Sequence, residues 1–234
     1  MSTQSQQTNN DFRADALKEA TARLAQNNGE EARGPCHDSL DSAEIDPIDN
    51  FDDMSLKDEL LRGIYAFGYE KPSVIQQKAI PSVISGRDII AQAQSGTGKT
   101  ATFSIGMLQN IDEKVNETQA ILLAHTRELA TQINTVVNGL AYYLKLNINL
   151  SVGGTSIRDN IGELNKNPHV VIGTPGRVLD MITKKALNTR FLKMLIIDEA
   201  DEMLSKIFLS QIYEIFRFLP QNIQVGLFSA TMPN

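Results

Sequence analysis

Short apolar runs recur along most of this chain, at Asp88–Ala91, Ala120–Ala124, Ile148–Val152, Val170–Ile172, Leu195–Ile197 and Val225–Phe228. Between them apolar residues return at helical spacing, as in Leu129, Ile133, Val136, Val137 and Leu140. Alternating strand and helix patterns predict an α/β domain: a parallel sheet with helices on both faces. In an open sheet of this kind ligands bind at the edge where the strands end. The segments that follow the six runs are therefore the candidates for one site. In chain order they are Ala93–Thr100, His125-Thr126-Arg127-Glu128, Gly153-Gly154, Thr174-Pro175-Gly176-Arg177, Asp198-Glu199-Ala200-Asp201 and Ser229-Ala230-Thr231.

Two of these segments carry defined chemistry. In Gln94-Ser95-Gly96-Thr97-Gly98-Lys99-Thr100 the glycines let the backbone turn tightly and aim N–H groups inward. Lys99 supplies positive charge for terminal phosphates, and the Thr100 hydroxyl suits a magnesium ion. A helix starting here adds the partial positive charge of its N-terminus. The general pattern opens with glycine, and here Ala93 stands in that place. In the acidic quartet, Asp198 is positioned to reach magnesium through water, and Glu199 to orient or deprotonate an attacking water. Asp201 is left to bond a neighbouring loop, with Ser229 and Thr231 as candidate partners. The pair of segments implies a site for ATP with Mg2+, or for a close analogue.

Charge divides the chain. Residues 1–50 carry ten acidic groups against four basic ones, which is the whole net charge of −6. They are poor in apolar residues, so residues 1–50 read as a disordered acidic arm and residues 51–234 as one domain. The balance of the domain excludes a broad basic face, so any nucleic acid must be held by a few placed groups. Cys36 is the only cysteine, which excludes an internal disulfide, and the three histidines make no zinc constellation. No apolar stretch is long enough to span a bilayer, and the acidic arm does not suit a presequence.

The ordered set of motifs resembles the first RecA-like domain of the DEAD-box RNA helicases, whose name spells the quartet Asp198-Glu199-Ala200-Asp201. The segment Gly68-Tyr69-Glu70-Lys71-Pro72-Ser73-Val74-Ile75-Gln76 matches that family's adenine-reading stretch, with Phe51 seventeen residues upstream of Gly68. The resemblance implies hydrogen bonds from Gln76 to adenine and stacking of Phe51 on the base. On their own, Gln76 reads as a polar helix residue and Phe51 as a core anchor. The resemblance also assigns Thr126, Arg127, Gly153, Gly154, Thr174, Gly176 and Arg177 to the sugar–phosphate backbone of RNA, without sequence reading. For Arg127 the plainer alternative is an ion pair with Glu128.

Within the family, Phe51-Asp52-Asp53-Met54, Leu61-Arg62-Gly63-Ile64-Tyr65 and Ala91-Gln92-Ala93-Gln94-Ser95 are similar to the translation initiation factor 4A group. Glu117-Thr118-Gln119-Ala120 and Lys193-Met194-Leu195 look more like its nuclear exon-junction paralogue. The resemblance therefore implies a cytoplasmic factor, or alternatively a nuclear one, with initiation-factor scaffold proteins among its partners. Two positions depart from the family. His125 replaces a proline and restores a backbone N–H. Ile207 replaces a turn glycine, which costs roughly 1–2 kcal/mol if the backbone there is left-handed. Alternatively the helix runs on through Leu204, Ile207, Phe208, Ile212, Ile215, Phe216 and Leu219. Family members complete the ATP site with arginines of a second RecA-like domain. With no such domain before Asn234, the chain alone is expected to bind nucleotide and RNA but turn over slowly.

Overall fold

The computed structural model describes residues 47–205 and 207–230. The acidic arm up to residue 46, and Thr231, lie outside the described residues. Six strands form one sheet: β1 (Ile89–Gln92), β2 (Ala120–Leu123), β3 (Ile148–Ser151), β4 (Val170–Gly173), β5 (Met194–Asp198) and β6 (Gln224–Ser229). Each coincides with one of the apolar runs. Every pairing is parallel, and the spatial order is β1-β6-β5-β2-β4-β3.

Eight helices connect and cover the strands among the described residues: α1 (Asp58–Ala66), α2 (Val74–Ile84), α3 (Lys99–Asn110), α4 (Arg127–Leu140), α5 (Ile157–Leu164), α6 (Pro175–Thr183), α7 (Ala200–Met203) and α8 (Leu209–Arg217). Among the described residues a 3-10 turn, Phe51–Met54, precedes them. The two-residue period of the strands decides which helices cover which face. Ala120 and Leu122 of β2 pack with Ile64, Ile80, Phe103 and Ile133 from α1–α4. Their neighbours Ile121 and Leu123 pack with Leu164, Met181, Met203 and Ile215 from α5–α8. The central strands are buried on both sides, which is why they read as unbroken apolar runs. Each fully buried leucine or isoleucine contributes about 1.5–3 kcal/mol.

The amphipathic reading of Leu129–Leu140 holds: α4 buries Ala130, Ile133, Val137 and Leu140 along one stripe. The continuous helix through Ile207 does not form. α7 ends at Met203 and α8 begins at Leu209, leaving Ile207 in the turn between them, 75% exposed. Leu204, Ile212, Ile215, Phe216 and Leu219 are still buried, so only the connecting turn departs from the stripe. At the other end, tertiary contacts begin ahead of Phe51: the Ile48 N–H donates to the Gln77 carbonyl at 3.3 Å, and Ile48 packs on the core.

Because every strand runs the same way, all six polar segments emerge at one edge. The strand order divides that edge. β1, β6 and β5 carry the glycine-rich loop, Ser229 and the acidic quartet; β2, β4 and β3 carry Thr126, Thr174 and the glycine pair. The two halves meet where β5 pairs with β2.

Candidate nucleotide and nucleic-acid site

The glycine-rich loop is closed on itself. Gly96 and Gly98 have φ of 80° and 98°, a region that a side chain resists, and Gly98 leads directly into α3. Thr97 donates its hydroxyl to the Gln94 carbonyl at 2.7 Å, and the Lys99 ammonium donates to the Ala93 carbonyl. The root of the loop is tied to β6 by the Ala93 N–H, which donates to the Ser229 carbonyl at 3.1 Å. Gln94, Ser95, Gly96 and Thr97 remain exposed, and Thr100 is half-buried in the first turn of α3.

Asp198 ends β5 and is 3% exposed, with no ion pair among the described residues. Burial is the main reason its pKa is pushed up to about 6, and the neighbouring Glu199 carboxylate also raises it. A hydrogen bond from the Glu199 N–H (3.0 Å) and the charges of Lys99 and His125 act in the opposite direction. A buried carboxylate held at such cost is suited to a cation, and the oxygens of Asp198 and Thr100 are the hard donors that magnesium takes. Glu199 follows at φ 49°, ψ 57°, a left-handed turn in a residue with a side chain. Its carboxylate is aimed at the end of β2, where Oε2 lies 3.0 Å from His125 Nδ1. The two atoms make no hydrogen bond, and Nδ1 is otherwise without a partner. Asp201 stands half-buried in α7, which packs against β6, and Ser229 is buried at the end of that strand.

Two residues expected at the base of ATP are engaged elsewhere. Phe51 is fully buried and meets Tyr65 edge-on, with ring centroids 6.4 Å apart. It is a core anchor, and its ring has no free face for stacking. Gln76 is 3% exposed. Its Oε1 accepts the Ser73 N–H at 2.8 Å as the reciprocal half of a capping box on α2. Its Nε2 donates to the Gly98 carbonyl at 3.4 Å. A Cβ on Gly98 would lie 2.7 Å from that nitrogen, so glycine is required there for contact as well as for φ.

The second half of the edge is an open groove of about 680 Å³, lined among others by His125, Thr126, Arg127, Gly153, Thr174, Gly176 and Arg177. Six of the seven residues assigned to RNA by resemblance are therefore brought together, and Gly154 lies under Arg127. The exposed Arg127 guanidinium lies over the glycine pair, where a Cβ on Gly154 would come within 2.1 Å of Nη1. No ion pair with Glu128 forms among the described residues. Thr126 caps α4, its hydroxyl accepting the Leu129 N–H at 3.1 Å. Pro175 opens α6 and fixes Thr174 in extended backbone beside it.

Arg177 corrects the expectation of a phosphate-gripping side chain. It is only 9% exposed and turns inward, donating to the Thr155 carbonyl (2.8 Å), Thr155 Oγ1 (3.0 Å) and Asn160 Oδ1 (3.4 Å). The chain of bonds continues from Asn160 to Ser151 and from Ser151 to Asn149. Arg177 thus fastens the loop after β3 to α6. Thr155 and Asn160 had no signal in the sequence beyond being ordinary polar residues near a glycine pair. Asp180 of α6 also lines the groove, as do Phe208 and Gln211 at the start of α8, which only the fold brings near.

A P-loop entering a helix, a buried aspartate on a strand separated from it by one other strand, and a polar groove beside them together define a helicase-type ATPase domain. Residues 73–234 match the family model described as DEAD/DEAH box helicase, and the chain belongs to that family. It is 56% identical over 194 residues to eukaryotic initiation factor 4A of Drosophila melanogaster, covering 83% of this chain and 48% of that protein. It is 58% identical over 187 residues to the initiation factor 4A of Caenorhabditis elegans, covering 80% and 46%. The chain thus spans about half the length of the curated relatives it matches. Among solved structures it is similar to a DEAD box protein from the hyperthermophile Methanococcus jannaschii (TM-score 0.74, 40% identity, 80% of this chain and 51% of that one). It is also similar to Saccharomyces cerevisiae Dbp5 bound to RNA and ADP BeF3 (TM-score 0.73, 42% identity, 78% and 46%). The fold is that of these RecA-like domains.

Proposed function

We propose that the chain is the first, nucleotide- and RNA-binding half of an ATP-dependent RNA helicase of the initiation factor 4A type, acting in the cytoplasm on the backbone of single-stranded or locally unpaired RNA. One observation carries this reading: the phosphate loop with Asp198 and the groove after β2, β4 and β3 share one sheet edge and meet at the β5–β2 border. Lys99, released from Ala93, would bind the terminal phosphates, and backbone N–H groups of Gly96–Thr100 would cradle them. Thr100 and Asp198 would hold Mg2+, Asp198 through water, and the bound ion would neutralise charge that develops on the phosphate oxygens. Glu199 is the group for orienting the attacking water, and Gln76 with the exposed loop flanks the base side. Asp201, Ser229 and Thr231 are proposed to link the nucleotide to the rest of the domain.

In the groove, Thr126, Arg127, Thr174, Gly176 and the glycine pair offer hydroxyls, N–H groups and one cation to phosphates. A second RecA-like domain, supplied elsewhere, would add the arginine that is worth about a thousand- to hundred-thousand-fold in rate. Initiation-factor scaffold proteins are the proposed protein partners, on the motif resemblance to the initiation factor 4A group.

The test is ATP binding and turnover by the purified chain, with and without single-stranded RNA, with Lys99→Ala as control. Binding of Mg–ATP that is lost in Lys99→Ala, together with slow turnover, is the expected result. RNA-stimulated turnover by the chain alone would overturn the half-site account. No nucleotide binding at all would overturn the functional reading.

A further inference from the structure

A side-chain contact bridges the border between the two halves of the edge. His125 follows β2 and lines the groove, whereas Glu199 follows β5 on the nucleotide side. β2 and β5 are neighbours, with Leu123 opposite Ile197, so the residues just past them face each other. His125 Nδ1 is shut away from solvent and lies 3.0 Å from Glu199 Oε2. Both side chains are partly exposed otherwise, at 22% and 41%.

We infer that His125 is a positioning residue that couples RNA in the groove to the placement of Glu199, by facing the carboxylate with one ring nitrogen and the groove with the other. The inference rests on the proposed function above. A carboxylate 3.0 Å from Nδ1 favours a proton on that nitrogen, since two lone pairs at that distance repel. The carboxylate in turn holds the ring's orientation, the usual effect of an acid on an imidazole whose other nitrogen does the contacting. With the proton on Nδ1, Nε2 carries a lone pair and is the atom left to accept a hydrogen bond from a ribose 2′-hydroxyl of RNA. The left-handed turn at Glu199 carries its carboxylate out of the strand line toward β2, which makes the contact possible. A ribose that fixes the ring therefore also fixes Glu199, and the linkage must be reciprocal. A proline at position 125 has only its backbone nitrogen in the ring, with no imidazole to offer, and cannot make this link.

The test has two arms. In the first, the three histidines of the chain are labelled with 15N and His125 is assigned from His125→Gln. Glu199→Gln should move the His125 ring nitrogens, and adding oligouridylate to the unsubstituted chain should move them again. In the second, oligouridylate affinity is measured by fluorescence anisotropy. Glu199→Gln should weaken it about fivefold or more in the unsubstituted chain, the lower end of ordinary coupling. In His125→Pro or His125→Gln backgrounds the same change should cost less than about twofold. A His125 signal unmoved by Glu199→Gln, or equal losses in all backgrounds, overturns the coupling while the functional reading stands. Failure of every variant to bind oligouridylate while folded overturns the RNA reading itself.

Discussion

Gln76 and Gly98 are joined by a hydrogen bond of 3.4 Å from the glutamine amide to the glycine carbonyl, so α2 is fastened to the phosphate loop at the residue just before α3. The other end of the same amide caps its own helix. Gln76→Ala removes both and leaves a buried gap. The expected loss is about 1–3 kcal/mol of stability by urea unfolding. ATP affinity should fall alongside it, because the loop loses its anchor. Unchanged stability would show that the two bonds contribute nothing net.

Asp198 gives a pH dependence whose sign is fixed by burial. Its folded pKa of about 6 lies above the ordinary 3.8, so the native state binds the extra proton between those values. Stability without ligand should therefore fall as pH rises from about 4 through about 6, by at most about 3 kcal/mol from this group. Mg–ATP reverses the preference, because a metal needs the charged carboxylate. Nucleotide affinity should weaken as pH drops through about 6, and calorimetry in two buffers should detect proton release on binding. Asp198→Asn should flatten both profiles.

Arg177 reports on how the groove is held. Arg177→Ala leaves the buried Asn160 side chain without its donor, at about 1–3 kcal/mol, and releases the more exposed Thr155 carbonyl. Faster hydrogen exchange at residues 152–156 should accompany the loss. Arg177→Lys should not restore it, because one ammonium cannot span the two partners that the planar fork reaches. Full rescue by lysine would contradict this assignment.

Gly154→Ala separates stability from groove geometry. The backbone at φ 80° costs a side chain about 1–2 kcal/mol, and the new Cβ displaces the Arg127 guanidinium. Arg127 is exposed and flexible, so unfolding should report only the backbone cost. RNA affinity should fall further than that cost explains, and Arg127→Ala should remove the difference.

The strands were legible because period and burial agree: Val170–Ile172 and Leu195–Ile197 are apolar throughout since both of their faces are covered. The edge that carries the site followed from parallel strands alone. What did not follow was the direction in which individual side chains turn. Phe51 and Arg177 belong to the motifs by spacing, yet the fold buries one against Tyr65 and the other against Thr155. Spacing along the chain fixes a residue's neighbourhood, while the inward or outward choice depends on partners far away in sequence. The break at Ile207 is of the same kind. Its helical stripe is intact on paper, but α8 must restart at Leu209 to lay Ile212 and Phe216 against Ile197 and Leu227.

Among the described residues, the strand that carries the phosphate loop has one neighbour, and that neighbour is the last strand of the sheet in sequence. Ile89 pairs with Gly226, and the Val225 N–H is held by the Asp88 carboxylate across 137 residues of sequence. On a ribosome adding about 5–20 residues per second, β1 therefore waits roughly 7–30 seconds for its partner to be made. During that interval a β-branched strand with both edges open is exposed, and no ladder holds the loop that follows it. The glycine-rich loop is thus among the last features to be organised during synthesis, and early folding falls to the strands β2 to β5 that lie between.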